Sequence, residues 1–303
     1  MSSVLITGAA TGIGNLTART LAADGHRVYA TMRHPDGANA AHAAELRDLA
    51  DGEGLHLEVV ELDVLSETSV AAAVRSVLQQ QRHLDVVVHN AGHLALGYSE
   101  AFTPAEIARL FDTNVLGMHR VNRAVLPYMR ARRSGTLVYV GSTTTVDVPP
   151  FMASYVASKA AFDALAQTTA YEVSQFGIET TIVMPGAFTQ GTDHFPNASH
   201  PSDAKVITSY AALDEMVEHY GEATERLFNG ADADPVSVAA EISRLLTLPA
   251  GQKPFRTIVD FTGAKVPEVN ARVWDEQQDF ITRMGMSELL QTATAEPSAA
   301  AVA

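Results

Sequence analysis

Short apolar runs alternate with longer helical patterns along most of the chain. Strands that are apolar on both faces and separated by helices are typical of a parallel sheet covered on both sides. Seven runs are predicted as such strands: Val4–Ile6, Arg27–Thr31, His56–Leu62, Asp85–Val88, Thr136–Val140, Glu179–Met184 and Pro254–Asp260. The pattern therefore predicts an α/β fold, a doubly wound parallel sheet with helices on both faces.

Helical patterns fill the gaps between these runs. Ser66 is predicted as the N-cap of one helix, because a hydroxyl there can accept from the free amides of the first turn. Another helix starts at Pro104, breaks near Asn114 and is followed by one that runs to about Arg133. The remaining helices are predicted from the glycine-rich turn Thr7–Gly14 to about Asp24, over Gly37–Leu49 and around Tyr155.

The last third of the chain departs from this repeat. Residues 187–235 are predicted as a substrate-loop insertion, helical from about Ser202 to His219. Long insertions beside a site often act as lids, and we expect one at about residues 190–230.

The C-terminus is predicted to carry an added helix and a tail. Val269–Leu290 has a helical pattern, whereas Gln291–Ala303 is rich in Ala, Thr, Ser and Pro and is predicted to be disordered. Because no linker or change of composition interrupts the chain earlier, residues 1–290 are predicted to form a single domain.

Composition narrows the class of protein. The 303 residues are 47% hydrophobic, and 21 basic against 35 acidic side chains give a net charge of −14. This balance disfavours nucleic acid and anionic membranes as partners. The absence of cysteine excludes disulfides and thiolate sites. Without a visible signal peptide or a membrane-length apolar run, we expect a cytoplasmic protein.

A glycine-rich turn lies between the first strand and the first helix. Gly8, Gly12 and Gly14 are placed where a sharp turn, close approach to a pyrophosphate and helix–strand packing would each need a glycine. The same glycines would also suit a plain tight turn. Their position at the first strand–helix junction favours dinucleotide binding.

A second group of residues has the chemistry of proton transfer. Ser142 follows the strand Thr136–Val140, and Tyr155 and Lys159 are four residues apart, on one face of the next helix. A nearby ammonium would lower the pKa of the phenol and make it a usable acid or base. Alone, a Tyr-x-x-x-Lys spacing also occurs by chance.

Taken together, the motifs resemble those of the classical short-chain dehydrogenase/reductase family over roughly residues 4–260. For cofactor binding, Thr7–Gly14 matches the family's glycine turn, Asp63–Val64 its adenine-contacting pair and Pro185–Gly186 the turn beside the nicotinamide. His89–Gly92 matches its Asn-Asn-Ala-Gly motif. For catalysis, Asn114 matches the catalytic Asn, and Ser142, Tyr155 and Lys159 match the catalytic Ser and the Tyr-x-x-x-Lys motif. His89 departs from the motif, where the family has Asn.

The resemblance implies a Rossmann-type fold and a role for each catalytic residue. Tyr155 would donate a proton to a carbonyl oxygen, and Ser142 would stabilise the charge that develops there. Lys159 would hold the nicotinamide ribose and lower the Tyr155 pKa, and Asn114 would position a water of the proton relay. No metal site is implied.

The resemblance also implies the cofactor contacts. These are Gly8, Thr11, Gly12, Ile13, Gly14, Arg33, Asp63, Val64, Asn90, Ala91, Gly92, Tyr155, Lys159, Pro185, Gly186, Phe188 and Thr189. Arg33 follows the second strand and would suit a 2′-phosphate, so NADP is favoured, with NAD possible through Asp36. Gln190 stands where the family has a carboxamide-binding Thr, which leaves open whether Thr189 or Thr192 takes that role.

The predicted function is an NADP-preferring oxidoreductase acting on a bulky, apolar ketone or secondary alcohol, with carbonyl reduction favoured. The alternatives are a dinucleotide sensor or scaffold without catalysis, and a cofactor-retaining epimerase. The partners expected are the small substrate and further copies of the chain, as a homodimer or homotetramer. The apolar wall is expected from Leu94, Leu96, Tyr98, Val146–Met152, Phe188, Phe195, Tyr210, Met216 and Tyr220. His93, His194 and His200 are interpreted as surface histidines.

Overall fold

The computed structural model describes residues 1–293 and contains one seven-stranded sheet. The strands, in chain order, are β1 (Ser3–Ile6), β2 (Arg27–Met32), β3 (Leu57–Glu61), β4 (Val86–His89), β5 (Gly135–Val140), β6 (Ile178–Pro185) and β7 (Arg256–Val259). All neighbouring strands are parallel, in the order β3-β2-β1-β4-β5-β6-β7. The predicted α/β fold and the seven strands are therefore confirmed.

Helices cover both faces of this sheet. The α-helices of residues 1–293 are α1 (Gly12–Ala23), α2 (Ala40–Glu53), α3 (Glu67–Gln81), α4 (Pro104–Phe111), α5 (Gly117–Arg132), α6 (Ala153–Ser174), α7 (Ala204–Ser209), α8 (Asp214–Glu218), α9 (Tyr220–Glu225), α10 (Val236–Thr247) and α11 (Val266–Arg283), of which α7 to α9 lie in the insertion. A π-helical turn, Asp112–Leu116, joins α4 to α5 at the predicted break.

Successive residues of the central strands alternate between two cores. Leu5 of β1 and Leu137 of β5 pack on the side of α3, α5 and α6. Their neighbours Val4 and Val138 pack on the side of α1, α2 and α10. Because both faces are buried, apolar residues fill most positions of the central strands, which explains their apolar runs in the sequence.

Three helix predictions were wrong in detail. The C-terminal helix, predicted over Val269–Leu290, is α11 from Val266 to Arg283, followed by a 3₁₀ turn at Ser287–Leu290. Helix α2 begins at Ala40 rather than Gly37, because His34 has a positive φ of 47° and its carbonyl accepts from the amides of Gly37 and Asn39 in a turn. The single helix expected from Ser202 to His219 is two short helices, α7 and α8, separated by a 3₁₀ turn at Ala211–Leu213.

The C-terminal extension packs back onto the sheet. Val266 at the start of α11 is fully buried, and Trp274 stacks on Phe255 with ring centroids 4.8 Å apart. At the start of the predicted tail, the Ala293 amide donates to Ser174 at the end of α6. The rest of that tail, residues 294–303, lies outside the described residues. Within residues 1–293, no helix has the length and apolarity needed to cross a membrane.

Candidate active site

A cavity of about 1310 Å³ opens along the carboxyl edge of the sheet. Parallel strands present their carboxyl ends at the same edge, so the segments that follow β1 to β7 converge on this cavity. The insertion between β6 and α10 closes one side of it through residues such as Phe195 and Tyr220. The predicted site residues are thus brought together from distant parts of the chain.

The glycine turn leaves the N-terminus of α1 open to this cavity. Gly8 has a φ of 67°, and a Cβ there would lie 2.9 Å from the Cα of Ala91. A Cβ on Gly14 would lie 2.3 Å from the carbonyl oxygen of Gly8, so this glycine allows close packing rather than contact with the cavity. Thr11, the N-cap residue, makes no side-chain cap to α1. Backbone amides at the start of α1 can therefore bind an anion.

Asn90 holds the turn in place from the neighbouring strand. Its Nδ2 donates to the carbonyl oxygens of Thr7 at 3.0 Å and Gly8 at 2.9 Å. His89, which departs from the family motif, is buried and stacks on Tyr139 at 4.6 Å. Burial lowers the pKa of His89 to about 3, so this ring stays neutral and packs as part of the core.

Ser142, Tyr155 and Lys159 all lie in the cavity wall and are buried. Ser142 Oγ accepts from the Thr144 hydroxyl at 2.8 Å and from the Thr144 amide at 3.2 Å. Lys159 Nζ donates to the Val140 carbonyl at 3.0 Å and lies 5.9 Å from the centroid of the Tyr155 ring. The end of β5 and the first turns of α6 therefore fix the three side chains relative to one another.

Burial dominates the electrostatics of this group. It raises the pKa of Tyr155 to about 12, against a smaller lowering by a hydrogen bond with Ser142. Burial also lowers the pKa of Lys159 to about 8. The direction at Tyr155 is opposite to the one expected from the sequence. The reason is that desolvation disfavours the phenolate more than the neighbouring groups stabilise it.

Asn114 lies inside the π-helical turn and is 2% exposed. Its Oδ1 accepts from the His93 amide at 2.7 Å, and its Nδ2 donates to the His93 carbonyl and to Ser158 Oγ, both at 2.9 Å. A Cβ on Gly92 would lie 3.6 Å from Asn114 Oδ1 and 3.7 Å from Lys159 Nζ. Asn114 thus ties the loop after β4 to α6 beside the lysine.

Most of the predicted cofactor contacts line the cavity. Those that do are Gly8, Thr11, Gly12, Ile13, Arg33, Asp63, Val64, Asn90, Ala91, Gly92, Tyr155, Lys159, Pro185, Gly186 and Phe188. Gly14 and Thr189 are not part of this wall. After Thr189 the chain turns at Gly191, where φ is 72°, and brings Thr192 against Gly12.

Thr192 is the hydroxyl residue of this loop that reaches the cavity. A Cβ on Gly12 would lie 3.6 Å from the Cβ of Thr192. Its Oγ1 is buried and has no hydrogen-bond partner among the residues that the structure describes. Gln190, at the family's usual position, points instead towards Glu225 at 3.5 Å. The sequence left this choice open, and the geometry favours Thr192.

The adenosine end of the cavity is lined by polar and basic side chains. Arg33, Asn39 and His42 all contribute to it. Asp36, the alternative considered for NAD, is exposed, lies 3.5 Å from Arg47 and is not part of the wall. The residues after β2 thus offer a positive charge rather than a carboxylate.

The substrate end is mainly apolar, and only part of the predicted wall belongs to it. Leu94, Val146, Val148, Met152, Phe188, Phe195 and Tyr220 line the cavity. Leu96, Tyr98, Tyr210 and Met216 do not. His93, His194 and His200, interpreted as surface residues, line it as well. For His194 and His200 only the folding of the insertion could reveal this, because their spacing carries no signal.

Comparisons with known proteins agree with this architecture. The chain matches the sequence profile of the short chain dehydrogenase family over residues 2–202. It is 35% identical over 188 residues to 3-ketodihydrosphingosine reductase of Bacteroides thetaiotaomicron, a match that covers 62% of this chain and 64% of the reductase. It therefore spans less than two thirds of that relative.

Two longer matches cover more of the fold. Retinol dehydrogenase 8 of Bos taurus is 31% identical over 257 residues, 80% of this chain and 77% of that protein. The structure of a variant of actinorhodin polyketide ketoreductase with NADPH is 26% identical, covers 86% of this chain and 95% of its own, and superposes with a TM-score of 0.66. The chain belongs to the short-chain dehydrogenase family.

Proposed function

We propose that this protein is an NADP-dependent oxidoreductase that interconverts a bulky, apolar ketone and its secondary alcohol. The observation that carries the proposal is that Ser142, Tyr155 and Lys159 meet in the wall of one cavity that also contains the open N-terminus of α1. A proton donor and an anion-binding turn in one cavity are what a nicotinamide-dependent reduction requires.

The residues present fit a dinucleotide. Gly8 and Gly12, both with positive φ, let the backbone approach a pyrophosphate at the start of α1. Arg33 provides the charge that a 2′-phosphate would need, and the actinorhodin ketoreductase structure with NADPH supports the same choice. When bound, the nicotinamide would supply the hydride.

The side chains of this site would handle the proton. With a pKa of about 12, Tyr155 is protonated at neutral pH and can donate to a carbonyl oxygen, which favours the reductive direction. Ser142 can hydrogen-bond the same oxygen and stabilise its developing charge. Lys159, with a pKa of about 8, lies beside the phenol and can return a proton to it.

The substrate end of the cavity supports an apolar substrate. Leu94, Met152 and Phe195 enclose it, and Val148 and Leu227 are exposed at its border. The two relatives described above are named for 3-ketodihydrosphingosine and retinol. A long or ring-containing apolar ketone fits this surface best.

Self-association is proposed through the outer faces of α5 and α6. Tyr128 on α5 and Leu165 on α6 are 49% and 38% exposed, and Leu116, just before α5, is 48% exposed. Such a surface agrees with the expected homodimer or homotetramer.

Titration of the protein with NADPH and NADH, followed by assays on apolar ketones, steroids and retinoids, tests the function. We expect NADPH to bind more tightly than NADH. The Tyr155→Phe variant should keep nucleotide binding and lose activity by about 100-fold or more, because a general acid typically contributes that much.

Three other outcomes would change the proposed function. Nucleotide binding without turnover of any substrate would favour a sensor over an enzyme. Tighter binding of NADH would overturn the role of Arg33. Failure to bind either nucleotide would overturn the proposed function altogether.

A further inference from the structure

His194 covers the proposed proton donor. Its imidazole ring meets the Tyr155 ring edge to face, with centroids 5.6 Å apart and planes at 68°. The side chain is half-buried and lines the same cavity as Tyr155 and Lys159. A ketone whose oxygen reaches Tyr155 therefore enters a cavity whose wall includes this imidazole.

The segment that carries His194 is held by the loop after β4. The Ser199 amide donates to the Leu94 carbonyl at 2.8 Å, and the Leu96 amide donates to the Ser199 carbonyl at 2.9 Å. His93 Nε2 and Ser199 Oγ are also within hydrogen-bond distance, at 2.7 Å. This strand-like pairing holds the segment on the C-terminal side of His194 across the cavity.

The imidazole has hydrogen-bonding capacity that the protein does not use. Neither ring nitrogen bonds to another of residues 1–293, whereas His93 and His200 each have a partner. Burial, and then the charge of Lys159, lower the pKa of His194 to about 4, so the ring is neutral at pH 7. A neutral imidazole offers one donor and one acceptor. Because His194 lines the cavity, both nitrogens are available to a bound ligand.

We propose that His194 is a specificity residue that hydrogen-bonds a second, neutral oxygen of the substrate. That oxygen, a hydroxyl or a carbonyl, would be attached next to the reacting carbon or one carbon further away, because the centroids of the imidazole and the Tyr155 ring are only 5.6 Å apart. The inference rests on the proposed function and narrows it to hydroxyketones, diketones or ketoesters within the apolar class. A neutral ring gives no charge with which to prefer a carboxylate.

The proposed substrate needs no reactant other than the cofactor proposed above. Reduction adds the hydride supplied by the nicotinamide to the carbonyl carbon and a proton from Tyr155 to its oxygen. The second oxygen is neither oxidised nor reduced. His194 contributes only a hydrogen bond, which should be worth about 3- to 10-fold in kcat/KM.

The test compares a matched set of ketones with NADPH. Acetophenone has one oxygen, α-hydroxyacetophenone adds a neutral hydroxyl, and benzoylformate adds a carboxylate. We expect the wild type to prefer the hydroxyketone over acetophenone by at least about 3-fold. The His194→Phe variant, which keeps an aromatic ring against Tyr155, should lose this preference, so that it reduces acetophenone and α-hydroxyacetophenone with similar kcat/KM. The His194→Gln variant, which keeps a neutral hydrogen-bonding group, should restore part of it.

Thermal unfolding and NADPH titration of each variant serve as controls. We expect wild-type melting temperatures and NADPH dissociation constants, which would show that any change in preference is local. Equal treatment of acetophenone and α-hydroxyacetophenone by the wild type, an unchanged preference in His194→Phe, or a preference for benzoylformate would each overturn the role of His194. Absence of NADPH oxidation with all three ketones and with the wider apolar panel would instead overturn the proposed function.

Discussion

At the scale of single residues, the buried ammonium of Lys159 is expected to destabilise the folded chain. Its pKa falls from 10.5 to about 8 on burial, so below pH 8 both states are protonated and the full penalty applies. Above about pH 10.5 the lysine is neutral in both states and the penalty disappears. Stability should therefore rise as the pH rises between these two values.

The Lys159→Met variant tests this sign. At pH 7 we expect a gain of about 1–3 kcal/mol in unfolding free energy, after allowance for the lost hydrogen bond to Val140. The gain should shrink towards pH 10, and activity should be lost. Urea unfolding of the wild type and the variant at pH 7 and pH 10, without nucleotide, measures the difference in unfolding free energy. A variant less stable than the wild type at pH 7 would contradict the prediction.

Thr192 should contribute to cofactor binding where Thr189 does not. The Thr192→Val change removes a buried hydroxyl without a protein partner beside Gly12, and should weaken NADPH binding by about 3- to 10-fold. The Thr189→Val change is the matched control and should bind as the wild type does. The two dissociation constants, measured by nucleotide fluorescence, decide between them. Equal NADPH dissociation constants for the two variants would contradict a role for Thr192 in cofactor binding.

These two threonines show where prediction from the sequence ends. Ser142, Tyr155 and Lys159 could be found because a strand end and one helix face set their spacing. Thr192 could not be chosen over Thr189, because the turn at Gly191 packs closely against Pro235, more than forty residues later in the chain, where a Cβ at Gly191 would lie 2.8 Å from Pro235 Cγ. The same holds for His194, whose place depends on pairing with the loop after β4.

At the scale of elements, the insertion is fastened to the site by two tyrosines. Tyr98 donates to Asp214 and Tyr210 donates to Glu100, each at 2.7 Å, and the two rings stack 4.7 Å apart. These contacts join α7 and α8 to the loop after β4. They provide a physical basis for the predicted lid, since a few polar contacts can open more easily than a core.

The Tyr98→Phe variant should loosen this fastening without disturbing the stacked rings. Loss of the Asp214 hydrogen bond should raise amide hydrogen exchange in α8 about 5- to 10-fold and increase KM. Exchange in β5 should not change. Tyr128→Phe, at an exposed position on α5, serves as the control. Unaltered exchange in α8 would show that the bond does not hold the insertion.

The strands of the sheet could be predicted from the sequence, whereas the helices of the insertion could not, for a physical reason. The strands are identified by runs such as Thr136–Val140, because a two-sided core requires apolar residues throughout. Helices α7 and α8 have no fully buried residue. Their boundaries are set by polar contacts such as those of Tyr98 and Tyr210, which leave no periodic pattern.

At the scale of the whole molecule, the C-terminal helix and the sheet should unfold together. Val266 of α11 belongs to the core beneath β5 and β6, and Arg256 of β7 pairs with Asp163 of α6. Trp274, the single tryptophan, stacks on Phe255 just before β7. Its fluorescence therefore reports the docking of α11, whereas far-ultraviolet circular dichroism reports all the helices.

We expect the two signals to give coincident urea transitions, as the predicted single domain requires. Trp274→Phe should keep the stacking and unfold at a similar urea concentration, whereas Trp274→Ala should lower the midpoint through lost aromatic packing of roughly 1–3 kcal/mol. An early fluorescence transition, with the circular dichroism signal still native, would show that α11 undocks separately. The chain would then consist of a core that ends near β7 and an extension that folds onto it as a second cooperative unit.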